Sequence, residues 1–485
     1  MKRNLLITSL VLGALTPATA GGIFYNSNQS AEYFRTFDRN SAIDNADIVY
    51  YNMAGTVRLG EGWTFNLSNQ SIFQKATVET KGNPVVGDRT YESNNPVLVI
   101  PNGYAAYRKG DWAFFTGLET IGATAVRDWK DGLPTLDLYG KQMAGYGGVK
   151  SNIIGMDAAA AALAAGKSVD EANAAGVAAG LSADAFTAKS SLKGSSYYMA
   201  WRHGAAYRIN QYFSIALAGR LVMARQDIVG RVDSACTYNQ YGHDLRSQSV
   251  AIIDTTAKAN GYSGEIGIDI FPTDNTVLNF TYETSTSLNF TTRVRDGKDG
   301  NGLFVDGQQG HLDLPKTLRF GFGVQVTPDL RASLGANRYF EGSVNFNMLN
   351  NPANNNDYKK DYSDTTEESA SLEYRLSKPW LVSFGVNFNQ IGQRKASTID
   401  TSIPGAHANY FSIGAGFQYA ASDQLKFNLG VAHTRFTSTY ENADVMGDQA
   451  LQAAFQSQGV SIDPRKVYDK QYLIVAFGIN YRFSK

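Results

Sequence analysis

Strict alternation of apolar and polar residues, in segments of about ten, constrains this chain more than any other feature. Over residues 316–326, Leu318, Phe320, Phe322, Val324 and Val326 share one face and Arg319, Gly321, Gly323 and Gln325 the other. Phe411, Ile413, Ala415, Phe417 and Tyr419 repeat the pattern, as do Val382, Phe384, Val386 and Phe388. In the last segment Leu473, Val475, Phe477, Ile479, Tyr481 and Phe483 fall together. A period of two is that of a β-strand with unlike faces. A soluble β-sandwich alternates too, so the connections decide. Tight turns at 108–111, 209–211, 272–275, 327–329, 377–379 and 421–423 are interleaved with long polar connections. These run over 81–96, 126–192, 228–256, 295–315, 345–368, 396–408 and 441–469. Short turns on one side and long loops on the other mark a transmembrane β-barrel, whereas compact sandwiches rarely carry so many long loops. The segments number about fourteen. The expected fold is therefore all-β, a transmembrane antiparallel β-barrel of about 14 strands. Trp63, Tyr107, Trp112, Trp201, Tyr212 and Trp380 stand near strand ends, where aromatic girdles belong.

Composition fits once the two faces are separated. The 485 residues carry 44 Lys+Arg against 44 Asp+Glu and 47 glycines, with a mean hydropathy of −0.27. Such an average looks too polar for a membrane protein, and length alone suggests about three domains. A single barrel with opposite faces answers both points. Zero net charge argues against a nucleic-acid partner, and one cysteine excludes a disulfide framework.

The amino terminus reads as an export signal over residues 1–20. Lys2 and Arg3 precede an apolar run from Leu5 to Leu15, Pro17 breaks it, and Ala18-Thr19-Ala20 supplies small residues for cleavage. The run is too short to span about 30 Å of hydrocarbon, and nothing after it approaches 20 apolar residues. An exported chain without a membrane helix, alternating in this way, belongs in the Gram-negative outer membrane, since only closed barrels satisfy their backbone there among β-structures. Phe483 ends the last apolar face, as a carboxy-terminal barrel-assembly signal would, though Ser484 and Lys485 follow it.

Two regions do not read as strands. Residues 21–60 alternate poorly and precede the first strand at Trp63, so they are expected to fold into the lumen as a plug. Residues 157–188 are Ala-rich, with Gly166, Gly176 and Gly180 interrupting them, which predicts a broken helical hairpin in the longest external loop. Leu163, Val169, Val177, Leu181 and Phe186 there are candidates for an apolar capture surface.

The segment from Asn40 through Asp44-Asn45-Ala46-Asp47 to Tyr51-Asn52-Met53-Ala54-Gly55 resembles the amino-terminal hatch of the FadL/TodX family. Met53 stands where that family usually has proline, which leaves the turn less rigid. Val99-Ile100-Pro101-Asn102-Gly103-Tyr104, Asp131-Gly132-Leu133-Pro134, Leu314-Pro315 and Ile403-Pro404 resemble further parts of the family pattern, in order along the chain. The resemblance implies an outer-membrane transporter, monomeric, among outer-membrane lipids, taking up long-chain fatty acids or other hydrophobic compounds. External loops would capture the ligand and a luminal pocket would hold it. Movement of the hatch tip, Gly21, Gly22, Ile23 and Phe24, would then release it sideways through a gap at a kinked strand. Asn52, Ala54 and Gly55 form the hatch turn. Gly122 is the first candidate for the kink and Gly117 the second, because glycine within a strand often marks a bend. Phe24, Tyr33, Phe34 and Phe37 are candidates to line the pocket. Arg35 and Arg39 either meet a ligand carboxylate or pin the plug to the wall.

Other chemistry finds little support. His203, His243, His311, His407 and His433 show no metal-ligand spacing, and no Gly-x-Ser-x-Gly elbow accompanies them. Asp296, Asp299 and Asp306 lack a regular calcium-loop pattern, as does the stretch 345–361. No catalytic residue, metal or cofactor is expected. A general diffusion porin is the first alternative, a barrel lipid hydrolase using His433 or His203 the second, and an added role as adhesin or phage receptor the third.

Overall fold

Fourteen antiparallel strands close on themselves in the computed structural model, which describes residues 30–121, 125–345, 363–392, 409–437, 439–442 and 465–483. Residues 1–20, expected to be an export signal, and Gly21, Gly22, Ile23, Phe24, Gly122 and His407 lie outside the described residues, as does most of the 345–361 stretch. The strands are β1 (Gly62–Lys81), β2 (Arg89–Ser93 and Val97–Lys109), β3 (Trp112–Thr120 and Ala125–Trp129), β4 (Phe186–Arg208) and β5 (Phe213–Cys236). Next come β6 (Ser247–Thr273), β7 (Thr276–Glu283 and Asn289–Asp299), β8 (Gln309–His311 and Thr317–Gln325), β9 (Leu330–Tyr339) and β10 (Thr365–Arg375). The last are β11 (Trp380–Gln390), β12 (Tyr410–Ala420), β13 (Leu425–Phe436 and Thr439–Asn442) and β14 (Arg465–Phe483). Neighbours in sequence pair throughout, and β14 closes on β1 from Trp63↔Phe483 to Lys81↔Arg465. Closure gives every strand a neighbour on both sides, which avoids the free edge strand that lipid would not tolerate.

The outward face carries the lipid belt. At the short-turn end, cross-strand ring pairs form a girdle: Trp63 with Tyr107, Trp112 with Tyr207 and Trp380 with Tyr419, at 5.0, 4.6 and 4.8 Å between centroids. On β4 the outward residues run from Tyr207 through Trp201 to Tyr197 before Lys193 appears. Ten residues at ~3.3 Å, tilted by about 40°, span roughly 25 Å, the height of a barrel's apolar band. Leu217, Ile266 and Ile268 lie exposed within it.

Above this belt the faces exchange character. β4, β5 and β6 have 23, 24 and 27 residues, far more than the 9–11 needed to cross a bilayer. Within the belt their inward residues are polar, such as Arg202, Ser214, Arg220, Glu265 and Asp269. Beyond it Leu192, Ile228, Val232, Ala251 and Ile253 point inward and are buried, while Arg225–Asp227 and Arg231–Asp233 pairs stand outside. The expected loop over 228–256 is thus mostly strand, and only 237–246 connects β5 to β6. Water on the outside and an apolar filling within reverse the requirement of lipid, so the alternation persists with inverted phase.

Three helices occupy the connection between β3 and β4: α3 (Pro134–Ala144), α4 (Val149–Ala164) and α5 (Val169–Leu181). Pro134 starts α3 where its missing N–H costs nothing. Ser168 and Glu171 form a capping box on α5. α4 and α5 pack through glycine, since a β-carbon on Gly155 would come within 2.7 Å of the Gly176 carbonyl oxygen. Val149, Met156, Leu163, Val169 and Val177 are exposed on this hairpin. Phe186, expected on the same surface, is buried at its foot as the first residue of β4.

Residues 30–59 lie inside the ring of strands and are almost entirely buried. They form α1 (Ala31–Thr36), α2 (Ile48–Tyr51) and a 3₁₀ helix (Met53–Arg58). Ser30 caps α1 by accepting the Tyr33 N–H, and Phe37 ends it in the left-handed conformation. α1 rests directly on the wall backbone. A β-carbon on Gly385 would overlap the Thr36 carbonyl oxygen, and one on Gly414 the Phe34 carbonyl oxygen. Lumen-facing glycines in β11 and β12 therefore make a seat that no larger residue allows.

Candidate functional site

Four polar latches hold the inner segment to the wall, each built from inward positions of different strands. At the first, Glu32 Oε1 accepts from the side-chain amides of Asn66, Asn428 and Asn480, at 3.0, 2.9 and 2.5 Å, across the β13–β14–β1 seam. At the second, Arg35 donates to Glu373 and Ser383, both at 2.5 Å, and Glu373 also takes Arg331 at 3.2 Å. The third is the Asn52-Met53-Ala54-Gly55 turn. Asn52 Oδ1 accepts from Gly55 N and Asn279 Nδ2, while its Nδ2 donates to the Ala42 carbonyl and Asp269, all within 2.9–3.0 Å. Ser214 donates to the Ala54 carbonyl at 3.0 Å. A β-carbon on Gly55 would press on Asn52 itself, which explains the residue types of this turn. Asn52→Ala leaves Asp269 and Asn279 short of a partner. It should cost about 2–3 kcal/mol of local stability. Hydrogen exchange over Met53–Arg58 reads this, and unchanged protection would count against the latch.

The fourth latch is a six-membered charge cluster around Tyr50. Arg202 Nε lies 2.9 Å from Glu119 and its Nη1 3.1 Å from Glu265. Arg319 meets Glu283 at 2.8 Å, and Arg220 pairs with the same carboxylate. Arg202 Nη1 donates to the Val49 and Tyr50 carbonyls at 3.2 and 3.1 Å, and Arg319 to Tyr50 at 3.1 Å. Both guanidinium groups also face the Tyr50 ring, at 4.8 and 5.0 Å. Cations at the carbonyl end of a helix complement its unsatisfied oxygens. Within the inner segment Arg39 forks onto Asp47 at 2.7 and 3.0 Å and reaches Asp44 at 2.7 Å. Burial works against the charge on Asp44, but Arg39 outweighs it and holds that carboxyl well below the usual range. Burial pushes the Tyr33 and Tyr51 hydroxyls well above theirs.

Beside the latches runs an apolar lining. Tyr33, Phe34 and Phe37 make edge-on ring contacts at 5.4–6.2 Å, and Tyr33 stacks on Tyr51 at 5.4 Å. They share one buried cluster with Phe115, Tyr198, Phe290, Tyr410, Phe436 and Tyr472 of the wall. Two basic side chains enter that cluster. Lys470 Nζ lies 4.2 Å from the Phe436 ring centre and 4.9 Å from that of Tyr472. Arg127 Nη2 donates to the Tyr472 hydroxyl at 3.0 Å, while its Nη1 is buried without a hydrogen bond among the described residues.

The wall changes register along β3. Thr120 pairs with Met199, and pairing resumes with Ala125 opposite Ser196, so five steps on β3 answer three on β4. On the other side, the β2–β3 ladder stops at Gly103↔Leu118 among the described residues. Beyond it only side chains bridge. Thr120 Oγ1 donates to the Pro101 carbonyl at 3.1 Å, and Gln74 reaches the Val126 carbonyl at 2.7 Å. Pro101 brings no N–H to a ladder there. Gly117 lies just below, with the Tyr104 ring where its β-carbon would be, 2.7 Å away.

Of the residues singled out in the sequence, Tyr33, Phe34, Arg35, Phe37, Asn52, Ala54 and Gly55 come together inside the barrel. Gly117 stands apart from them in the wall. Sequence reasoning missed Glu32, Arg202, Arg319 and the three asparagines. For Arg202, Arg319 and the asparagines the signal was an ionisable or amide residue on the inward phase of a strand, where lipid cannot be its neighbour; Glu32, in α1, carried no such signal.

A family model described as outer membrane protein transport protein (OMPP1/FadL/TodX) matches residues 197–483, more than half of the chain. The chain belongs to that family. Solved relatives share the barrel fold at low identity. A Pseudomonas aeruginosa FadL homologue is 12% identical, with 95% of this chain and 100% of that one covered at a TM-score of 0.59. The Ralstonia pickettii toluene transporter TbuX is 14% identical, with 95% and 99% covered at 0.54. The P. putida toluene transporter TodX is 12% identical, with 92% and 96% covered at 0.54. No protein with a curated description matches the sequence. Family membership and the closed barrel place the chain in the outer membrane among transporters of hydrophobic compounds, which are not enzymes.

Proposed function

We propose that this protein imports hydrophobic carboxylic acids of the long-chain fatty-acid type, with residues 21–60 as the plug that gates their passage. The observation that carries the acid is the pair Arg127 and Lys470, a guanidinium and a buried amine set against Tyr472 inside an aromatic lining. A neutral hydrocarbon gains nothing from them, whereas a carboxylate forms charge-assisted hydrogen bonds there while its chain is buried among rings. The solute leaves sideways through the wall where β3 loses its ladder to β2. Gly122 is the proposed bend and Gly117 its lower hinge. Movement of the tip at Gly21–Phe24 starts the release, and Phe24 lines the pocket with Tyr33, Phe34 and Phe37. Arg35 and Arg39 act as pins, since wall and plug carboxylates already engage them. The exposed apolar residues of α4 and α5 collect the ligand, and the barrel works as a monomer.

Toluene transport by TodX and TbuX supports a second reading, a neutral aromatic solute. Uptake of labelled oleate and of labelled toluene by cells with and without the protein separates the two. Arg127→Ala with Lys470→Met should lower oleate uptake about 10–100-fold, the worth of ~1.5–3 kcal/mol of ionic hydrogen bonding, and leave toluene unchanged. Protein-dependent toluene uptake without oleate uptake would sink the acid assignment. Uptake of neither, with ion conductance in planar bilayers, would favour a diffusion porin.

A further inference from the structure

α3 lies across the outer lumen rather than beside it. Leu136 is fully buried, and with Leu133 and Tyr139 it packs among Val78, Tyr91, Ile228 and Val232, inward residues of β1, β2 and β5. Gly140 allows this approach, since a β-carbon there would crowd Ala188 and Val232 at 2.7 and 2.9 Å. The lumen is therefore filled twice, by the inner segment at the short-turn end and by α3 at the outer end. An apolar path that begins outside meets α3 before it meets the aromatic lining.

The fastening of α3 is concentrated in one carboxylate. Asp137 Oδ2 accepts from the Tyr91 hydroxyl at 2.9 Å and Arg89 Nη1 at 3.0 Å, and Oδ1 from the Ser190 hydroxyl at 2.6 Å. Tyr139 adds a bond to the Gly300 carbonyl at 2.9 Å and Lys141 one to the Val85 carbonyl at 2.6 Å. Glycines in the left-handed region flank the helix, Gly132 at φ +82° before it and Gly145 at +114° after it. Such joints adopt alternative backbone conformations at low cost. We propose that α3 is an outer gate, hinged at Gly132 and Gly145 and latched by Asp137 to Tyr91, Arg89 and Ser190, which swings aside to admit the hydrophobic solute. The solute rests on the transport reading above; the gate itself does not.

The test uses the full chain in detergent micelles, with Cys236→Ala to remove the native thiol and Val78→Cys as a reporter beneath the helix. A charged maleimide should label the reporter slowly. Adding Asp137→Ala should raise the labelling rate at least about tenfold, the scale of losing a buried ionic hydrogen-bond set, and speed hydrogen exchange over Pro134–Ala144. Asp137→Asn, which keeps one acceptor oxygen, should fall between the two. Unchanged labelling despite faster exchange would show that α3 covers nothing, and unchanged exchange would show that Asp137 is no latch; either overturns the gate. Neither readout needs a ligand. Responsive labelling without fatty-acid uptake would leave the gate standing and remove the transport reading, and uptake with unresponsive labelling the reverse.

Discussion

Gly385→Val, placed in the Asp137→Ala background so that α3 no longer closes the outer lumen, will open the barrel to ions. The substitution puts a branched side chain where the Thr36 carbonyl oxygen sits. Gly385 is laddered on both sides, to Ser371 and to Gly414, so the wall cannot retreat. The inner segment has to lift, at an overpacking cost of about 1–3 kcal/mol or more. With α1 lifted, Arg35 moves from Glu373 and Glu32 from its three asparagines, so the first two latches fail together. Planar-bilayer recordings should show conductance steps absent from the parent, with heat-modifiable migration on gels retained. Gly219→Val is the control. Nothing stands near a β-carbon there, and no steps should appear. An assembled Gly385→Val barrel that stays as silent as its Asp137→Ala parent would mean that α1 is not what seals the inner lumen.

Arg202→Ala will destabilise the folded barrel by about 3–5 kcal/mol, the cost of removing one partner from a buried ionic set. Arg202, Glu119 and Glu265 are all fully buried in their side chains. Without the guanidinium two carboxylates lose their nearest cation, and the Val49 carbonyl loses the donor that Arg202 provides. Chemical denaturation from micelles measures the loss. Glu119→Gln should recover part of it in the double variant, because one uncompensated charge disappears. Equal stability of Arg202→Ala and parent would show that the cluster contributes nothing to docking of α2.

Legibility followed the solvent on each side of the wall. Strands β8, β11, β12 and β14 were readable because lipid outside and polar contents within impose opposite demands at every second residue. The upper halves of β5 and β6 resemble loop in sequence because their polar face is the outer one, the reverse of a lipid-facing strand. α3 escaped notice because its apolar side faces an equally apolar lumen, and eleven residues leave little periodicity to find. Asn52 and Gly55 were recognisable as a turn, yet nothing in their spacing indicated that Asp269 and Asn279, more than two hundred residues away, complete it.

By itself the sequence determined the class of fold, its approximate strand number and its membrane, because alternation and the asymmetry of short turns against long loops are local consequences of one chain meeting lipid. It also set residues 30–60, which precede the first strand, apart from the wall. The tertiary structure decided which inward side chains meet. Glu32 finds asparagines from three strands, Arg202 joins β3 and β6 to α2, and Arg127 stands beside Tyr472 of β14. Closure of the barrel brings together inward positions that are hundreds of residues apart, and only the register of the strands fixes which of them share a level.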